Sequence, residues 1–246
     1  MPAAARRLGL IGCGRIGAPV LRAWRDGALP GWQLAAVLAR QARASDGIAV
    51  TDDAEAFFST PFDLVVDCAG PHALAAHGER ALAHAELWTV GAAALADAAL
   101  AQRLQAAADG SGHRLRLLHG AFAGLDGVAA AAVDPAATLE LDIDLPPGDA
   151  PAGLVFSGSV RDAARRFPDA LNVAVAAAWA GPGLDATTIR VHAPGPTPPH
   201  RLALRARSRG GMLTLAVQPQ LSPGQHPVAD AIVAALRQAL RPVWAG

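Results

Sequence analysis

Short apolar segments alternate with longer amphipathic segments through the first half of the chain. The apolar segments predict five strands, at residues 7–11, 33–39, 64–68, 87–90 and 115–118. The segments between them have helical periodicity and predict helices at residues 16–25, 52–58, 73–83 and 94–108. This order predicts an α/β fold, namely a Rossmann-like, doubly wound parallel sheet with helices on both faces.

The pattern changes after Gly120. Residues 138–145 alternate apolar with acidic side chains, which is typical of a half-buried antiparallel strand, and residues 188–192, 201–207 and 212–217 repeat the alternation. Residues 228–240 form an amphipathic pattern that predicts a helix packed on the first domain. We therefore expect one domain of residues 1–119 plus 226–246 and a second, α+β domain of residues 120–225.

Composition narrows the possible chemistry. The chain has 246 residues, of which 52% are hydrophobic, and its 21 basic residues balance 21 acidic ones, so net charge gives no reason to expect nucleic acid or a membrane as partner. All the basic residues are arginines and tyrosine is absent, which excludes a Schiff-base lysine, a Walker-type phosphate loop and a tyrosine/lysine proton relay. Any general acid or base must therefore be His, Asp, Glu or Cys.

The cysteines and apolar runs bear on metal binding and location. Two cysteines, Cys13 and Cys68, are too few for a zinc cage or a disulfide framework, and we interpret both as small packing residues. The histidines of residues 72–84 do not share a helical face at metal-ligand spacing, so no metal is expected. No apolar run reaches membrane-spanning length and no signal peptide is evident, which predicts a soluble, cytoplasmic protein.

A glycine motif, Gly-Cys-Gly-Arg-Ile-Gly at residues 12–17, directly follows the first predicted strand and begins a helix. Gly12 permits a tight turn, Gly14 lets the backbone approach a pyrophosphate, and Gly17 lets the helix pack closely on the strand. Arg15 and Ile16 complete the predicted cofactor-binding turn at the helix N-terminus. The alternative is a glycine-rich turn without a ligand; the strand and helix on either side favour a dinucleotide.

The end of the second strand bears on the choice of nucleotide. An acidic residue that would bind the ribose 2′-hydroxyl of NAD is missing from residues 38–43, where Arg40 and Arg43 stand instead. Because a guanidinium can pair with a 2′-phosphate, Arg40 favours NADP or the use of both nucleotides. The alternative is that both arginines are solvated loop residues.

The third strand ends in Asp67-Cys68-Ala69-Gly70, at the edge of the sheet where ligands bind in doubly wound folds. We predict that Cys68, Ala69 and Gly70 line the nicotinamide with backbone groups. Asp67 could instead be a strand-end residue with local hydrogen bonds.

Two parts of the second domain carry candidate chemistry. Residues 155–168 combine a capped helix start at Ser159 with several arginines, and Ser159 and Arg161 are candidates for binding a substrate carboxylate or for ordering the domain. The alternative is an ordinary amphipathic helix with a solvated arginine face. His200 follows a proline-rich turn and precedes a strand, so it is a candidate general acid or base, or an incidental loop histidine.

These segments, in this order, resemble the L-aspartate dehydrogenase family, two-domain nicotinamide enzymes that oxidatively deaminate L-aspartate. The resemblance covers most of the chain. It is carried by residues 11–17, 67–70, 89–92 and 120–126, and most specifically by residues 156–168 (Phe-Ser-Gly-Ser-Val-Arg-Asp-Ala-Ala-Arg-Arg-Phe-Pro) with Asn-Val-Ala at 172–174.

The resemblance implies roles for particular residues. Ala121 and Asn172 match positions that contact the nicotinamide cofactor in the family, and His200 matches the catalytic histidine. The family also implies a Rossmann domain completed by the C-terminal helix, an α+β domain for substrate binding and subunit contact, and a homodimer. Its partners would be an amino acid or 2-oxo acid substrate and NADP or NAD.

Three departures from the family pattern concern the substrate. Pro198 stands where the family has Asn, residues 225–229 replace an Asn-Pro-Lys-Thr-Ser-like segment, and residues 142–147 replace a basic stretch. The leading hypothesis is hydride transfer from Cα of L-aspartate to NAD(P)+, giving iminoaspartate and then oxaloacetate plus ammonia, or the reverse. The alternatives are a dehydrogenase for another small amino or hydroxy acid, and a catalytically inactive nicotinamide-binding paralogue.

Overall fold

The computed structural model describes residues 4–45, 48–146, 151–193, 201–220, 222 and 224–243. The chain divides into two compact units. Unit 1 consists of Met1–Ala94, Ala98–Leu118 and Leu221–Gly246, and unit 2 of Leu95–Asp97 and His119–Gln220.

Unit 1 is built on a parallel sheet. Its elements up to residue 117 are β1 (Arg6–Ile11), α1 (Gly17–Arg25), β2 (Trp32–Leu38), β3 (Arg43–Ser45), β4 (Ile48–Val50), α2 (Ala54–Phe58), β5 (Leu64–Asp67), α3 (Pro71–His84), β6 (Glu86–Thr89), α4 (Ala98–Ser111) and β7 (Leu115–Leu117). Five strands pair in the order β2-β1-β5-β6-β7, and every pair is parallel. The predicted Rossmann-like sheet is confirmed.

Local chemistry explains where the helices begin. The carboxylate of Asp53 accepts the backbone N–H groups of Glu55 (2.8 Å) and Ala56 (3.2 Å), so α2 starts after it. Pro71 occupies the first turn of α3, where its missing N–H is not needed. The single helix predicted for residues 94–108 is wrong at its start, because a short 3-10 helix, Ala92–Ala96, precedes α4. The antiparallel hairpin of β3 and β4 was not predicted.

Unit 2 has a mixed sheet. Its elements are α5 (Leu125–Ala131), β8 (Thr138–Asp144), β9 (Gly153–Ser159), α6 (Val160–Arg166), α7 (Asn172–Ala180), β10 (Thr188–Ala193), β11 (Leu202–Ser208) and β12 (Gly211–Val217). The strand order is β12-β11-β8-β10-β9. β8 is antiparallel to β11 but parallel to β10, so the prediction of an antiparallel strand over residues 138–145 is wrong for one of its two neighbours. Alternation of apolar and polar residues indicates that one face of a strand is buried, and both parallel and antiparallel strands can have one buried face.

The core of unit 1 lies around its central strands and the C-terminal helix. All four residues of β5 are buried, as expected for a parallel strand covered on both faces. Helix α8 (Pro227–Gln238) contributes Ala229, Ile232 and Leu236 to the same core. The indole Nε1 of Trp32 also donates to the Leu236 carbonyl at 2.9 Å. Unit 1 is therefore completed by the end of the chain.

None of the helices in the described part of the chain is long and apolar enough to cross a lipid bilayer.

Candidate functional site

The turn between β1 and α1 requires glycine at two positions. Gly12 has φ of +92°, a conformation that L side chains rarely adopt, and a Cβ there would lie 2.8 Å from the Cβ of Ala69. A Cβ on Gly17 would collide with the carbonyl oxygen of Gly12. The turn is therefore closed on its inner side by backbone packing.

The outer side of the same turn is open. Among the described residues, and apart from its two chain neighbours, no atom lies within 4 Å of the position that a Cβ on Gly14 would take. No side chain caps the N-terminus of the nine-residue helix α1, and its first turn contains no acidic residue. The turn thus leaves room and backbone donors for a dinucleotide pyrophosphate, which fits the cofactor predicted from the glycine motif.

A cavity of about 270 Å³ lies beside the turn. It is lined by residues of α1 and of the chain leading into α8, namely Gly14, Arg15, Ala18, Pro19, Arg22, Ser222, Gly224, Gln225 and His226. His226 caps α8, because its Nδ1 accepts the N–H of Val228 at 3.2 Å. Burial, with the neighbouring charge of Arg15, lowers the pKa of His226. Residues 225–229, where the chain departs from the family pattern, therefore begin beside the predicted pyrophosphate turn. The sequence alone did not predict this proximity.

Arg40 lies at the carboxyl end of β2 and is exposed. The Gly12 N–H donates to the Leu38 carbonyl at 2.7 Å, so the end of β2 is joined to the glycine turn. This location matches the one from which a residue reaches the adenosine ribose in a dinucleotide fold.

A buried carboxylate organises the carboxyl ends of β5 and β6. Oδ1 of Asp67 accepts the N–H groups of Ala69 (2.8 Å) and Gly70 (3.3 Å), and Oδ2 accepts the hydroxyl of Thr89 (2.7 Å). The Gly91 N–H donates to Oγ1 of Thr89 at 2.8 Å. Burial raises the pKa of Asp67 to about 6, against the opposite effect of these hydrogen bonds.

The segments that follow β5 and β6 approach each other closely. A Cβ on Gly91 would lie 2.5 Å from the carbonyl carbon of Gly70, which itself has φ of +97°. The Cys68 N–H donates to the Ile11 carbonyl at 2.8 Å, so the predicted residues Cys68, Ala69 and Gly70 lie beside the end of β1. The thiol of Cys68 is buried, and burial raises its pKa well above the usual range, which disfavours the reactive thiolate and fits the predicted packing role. The hydrogen bond between Thr89 and Asp67 was not predicted from the sequence segment 89–92.

In unit 2, two segments predicted to contact the cofactor lie side by side. A Cβ on Gly120 would be 3.1 Å from Cγ1 of Val173, so the neighbouring residues Ala121 and Asn172 belong to adjacent segments. Asn172 is the first residue of α7. His200 and Pro198 lie outside the described residues.

The side chains of Ser159 and Arg161 make contacts within unit 2. Ser159 is the N-cap of α6, and its hydroxyl accepts the Asp162 N–H and donates to the Asp162 carboxylate. Nε and Nη2 of Arg161 donate to Asp185 at 2.6 and 2.9 Å, while Nη1 donates to the Ala96 carbonyl at 3.0 Å. These contacts favour an ordering role over binding a substrate carboxylate.

Two acidic residues of β8, Asp142 and Asp144, accept hydrogen bonds from other parts of unit 2. Asp142 accepts two hydrogen bonds of 2.7 Å from Arg190 on β10, and His192 lies 3.4 Å from the same carboxylate. The pKa of Asp142 is lowered, chiefly by the Arg190 hydrogen bonds. Asp144 accepts the N–H of Arg201 at 2.9 Å. The departure from the family pattern at residues 142–147 therefore does not leave an unpaired carboxylate at Asp142.

A parallel sheet with an open glycine turn at its carboxyl edge is the arrangement of dinucleotide-binding proteins, and this chain adds a mixed-sheet unit to it. Residues 12–118 match the family model for the NAD-binding domain of homoserine dehydrogenase, and residues 121–239 match that for the C-terminal part of aspartate dehydrogenase. An L-aspartate dehydrogenase of Ruegeria pomeroyi is 40% identical over 74% of this chain and 72% of its own length. L-aspartate dehydrogenase 2 of Bordetella pertussis is 32% identical over 95% of this chain and 97% of its own. The chain belongs to the L-aspartate dehydrogenase family.

A solved structure gives the same fold. The aspartate dehydrogenase of Thermotoga maritima superimposes with a TM-score of 0.79 at 21% identity, over 98% of this chain and 99% of that one. The sequence relatives and the C-terminal family model confirm the family that the sequence motifs predicted, and this superposition confirms the fold.

Proposed function

We propose that this chain is an NAD(P)-dependent L-aspartate dehydrogenase, acting on the CH–NH2 group of the amino acid. L-aspartate, water and NAD(P)+ give oxaloacetate, ammonium, NAD(P)H and a proton, or the reverse. One observation carries the proposal: the similarity to a named L-aspartate dehydrogenase extends through both units, over 95% of the chain and 97% of the relative.

Different segments of unit 1 are proposed to bind different parts of the cofactor. Gly12, Gly14 and Gly17 form the open turn for the pyrophosphate, with Arg15 and Ile16 at the start of α1. The segment Cys68-Ala69-Gly70, at the end of the neighbouring strand β5, is the proposed lining of the nicotinamide end. Its three N–H groups are already donated to Ile11 and Asp67, so its proposed contribution is the shape of the backbone. A nicotinamide nucleotide held by these residues would supply the acceptor for the hydride that leaves Cα of the substrate.

His200 is the proposed proton-transfer residue. The reaction requires a group that removes a proton from the ammonium group of L-aspartate before hydride leaves Cα, and that takes a proton from the water that hydrolyses the resulting iminium ion. A histidine can do both near neutral pH. Ala121 and Asn172 are the proposed cofactor contacts of unit 2, while Ser159 and Arg161 keep the start of α6 in place through Asp162, Asp185 and Ala96. Residues 120–225 are the proposed substrate and dimerisation domain.

A homodimer and a cytoplasmic location are part of the same proposal. The homodimer follows from the family resemblance. The cytoplasm is supported by the cysteine content, because Cys13 and Cys68 are buried and do not form a disulfide, as is usual in a reducing compartment.

Reductive amination tests the function directly. Purified protein is given oxaloacetate and ammonium, and the loss of NADH or NADPH absorbance is followed with each nucleotide, together with identification of the amino acid formed. L-aspartate formation that requires ammonium is the expected result. The matched control omits ammonium, because reduction without it yields malate and identifies a hydroxy-acid dehydrogenase.

Two other outcomes would contradict the proposal. Turnover with a different 2-oxo acid but not oxaloacetate identifies another amino acid dehydrogenase. Nucleotide binding without turnover on a panel of oxo acids identifies an inactive nicotinamide-binding paralogue.

A further inference from the structure

Few polar side chains are wholly buried in the part of the chain that the structure describes, and two of them are hydrogen-bonded to each other. Among the described residues, the buried polar or charged side chains are Asp67, Thr89 and Thr187, with exposed fractions of 1% or less. Asp67 is the one carboxylate in that set. Burying a carboxylate is costly unless it is well hydrogen-bonded, so its position at the carboxyl edge of the sheet calls for a physical reason.

Apart from the bond that joins them, the side-chain hydrogen bonds of Asp67 and Thr89 are made to backbone N–H groups of the segments that follow β5 and β6. Asp67 accepts the N–H groups of Ala69 and Gly70, and Thr89 connects Asp67 to the N–H of Gly91. Since Gly91 also packs against the Gly70 carbonyl, the pair fixes two adjacent chain exits relative to each other. Four hydrogen bonds between 2.7 and 3.3 Å thus fix the backbone conformation at the carboxyl ends of β5 and β6.

The sheet order identifies which end of a dinucleotide this edge faces. The strands run β2-β1-β5-β6-β7, and the pyrophosphate turn follows β1. If the adenosine ribose lies over the end of β2, beside Arg40, the other half of the dinucleotide lies over the ends of β5 and β6. Those are the two strands that end in Asp67 and Thr89.

We propose that Asp67 and Thr89 form a positioning pair that holds Ala69, Gly70 and Gly91 in the shape required by the nicotinamide end of the cofactor. Neither side chain touches the cofactor itself; both act through backbone. The inference rests on the proposed function only so far as the chain binds a nicotinamide nucleotide.

The test compares NADH with ADP-ribose, which lacks the nicotinamide base. Dissociation constants of both are measured by titration for the wild-type chain and for Thr89→Val, Thr89→Ser and Asp67→Asn. Thr89→Val keeps the side-chain shape but removes the hydroxyl, so NADH affinity should fall by about tenfold. ADP-ribose affinity should change by less than about threefold, and Thr89→Ser should restore most of the NADH affinity.

A matched control uses the opposite end of the same strand. Asp63, just before β5, accepts the Arg7 N–H at 2.6 Å and is exposed, so Asp63→Asn makes the same carboxylate-to-amide change as Asp67→Asn at an acceptor of a backbone N–H. It should leave both dissociation constants unchanged. Amide hydrogen exchange without nucleotide provides a second readout, in which Gly70 and Gly91 should exchange faster in Thr89→Val than in Thr89→Ser.

Several outcomes overturn the pair's role. Equal losses for NADH and ADP-ribose would show a general structural effect, and unchanged NADH binding in Thr89→Val would show no effect. If Asp67→Asn does not fold, the two Thr89 variants carry the comparison. Failure of the wild-type chain to bind NADH overturns both this inference and the proposed function, whereas NADH binding without aspartate turnover overturns only the substrate assignment.

Discussion

Arg161 shows how contacts decide between two roles that sequence leaves open. As an isolated residue in a helix start rich in arginine, it could bind a substrate carboxylate or support the fold. Three of its nitrogens donate to Asp185 and Ala96, so a substrate would have to displace an existing bidentate partner. At the scale of single residues, the assignment therefore follows from which donors are already used.

His200 gives the first residue-scale prediction. Replacing His200 with Ala should lower kcat for L-aspartate oxidation by about 10²-fold or more, because no other group would exchange the amine and water protons as efficiently. NADH affinity, measured by fluorescence titration, should be nearly unchanged. Unchanged turnover would remove His200 from the mechanism.

Arg40 gives the second prediction. If its guanidinium pairs with the 2′-phosphate, Arg40→Ala should weaken NADPH binding by about tenfold or more and leave NADH binding within about twofold. The matched control is Arg25→Ala, which removes an exposed arginine from the far end of α1. Equal NADPH affinity in the wild-type chain and Arg40→Ala would make Arg40 a solvated loop residue.

The turn between β1 and α1 supports a prediction at the scale of elements. Ala at position 17 would collide with the Gly12 carbonyl, so Gly17→Ala should lower the free energy of unfolding by about 1–3 kcal/mol. The methyl group of Ala at position 14 meets no atom within 4 Å in the described part of the chain beyond its own neighbours, so Gly14→Ala should change stability by less than about 0.5 kcal/mol.

Nucleotide affinity should separate the same two variants. Relative to the stability that each variant loses, Gly14→Ala should lose more NADH affinity than Gly17→Ala. The methyl group of Gly14→Ala occupies the open side of the turn, so it should weaken NADH binding by about tenfold in a protein of normal stability. Urea denaturation and NADH titration of both variants measure this. A stable Gly14→Ala variant with wild-type NADH affinity would contradict the assignment of this turn to the pyrophosphate.

Elements with a distinct local signal were predictable, and those without one were not. The strand, glycine turn and helix of residues 6–25 follow from apolar runs and glycine spacing. β9 was missed because it is partly exposed and its sequence, Gly153–Ser159, has no alternation. α7 has five consecutive buried residues, so it lacks the amphipathic period that identifies a helix.

The candidate site was predictable only as far as it is local in sequence. The glycine turn and the residues after β5 could be predicted because each is a short continuous motif. The Asp67–Thr89 bond joins residues 22 positions apart, and the cavity between α1 and the start of α8 joins residues about 200 apart, so neither has a local signature.

At the scale of the whole molecule, carboxylates shift stability with pH in two opposite directions. The raised pKa of Asp67, about 6 against an ordinary 3.8, means that the folded chain binds more protons than the unfolded chain between those values. Its contribution to the free energy of unfolding is therefore largest below about pH 4 and is lost as pH rises to about 6. Asp142 has a lowered pKa, so its contribution is present above about pH 4 and is lost on further acidification.

Asp67→Asn should therefore change the shape of the stability profile. Between about pH 4 and pH 6 the Asp67 contribution falls by roughly 3 kcal/mol at most, since one pKa unit corresponds to about 1.4 kcal/mol. Urea denaturation at several pH values should show that the difference in unfolding free energy between the wild-type chain and Asp67→Asn falls across this window and is constant above it.

Asp142→Asn is the control, because its difference from wild type should vary only below about pH 4. A wild-type minus Asp67→Asn difference independent of pH from 4 to 6 would mean that Asp67 is ionised throughout, with its three hydrogen bonds outweighing the cost of burial.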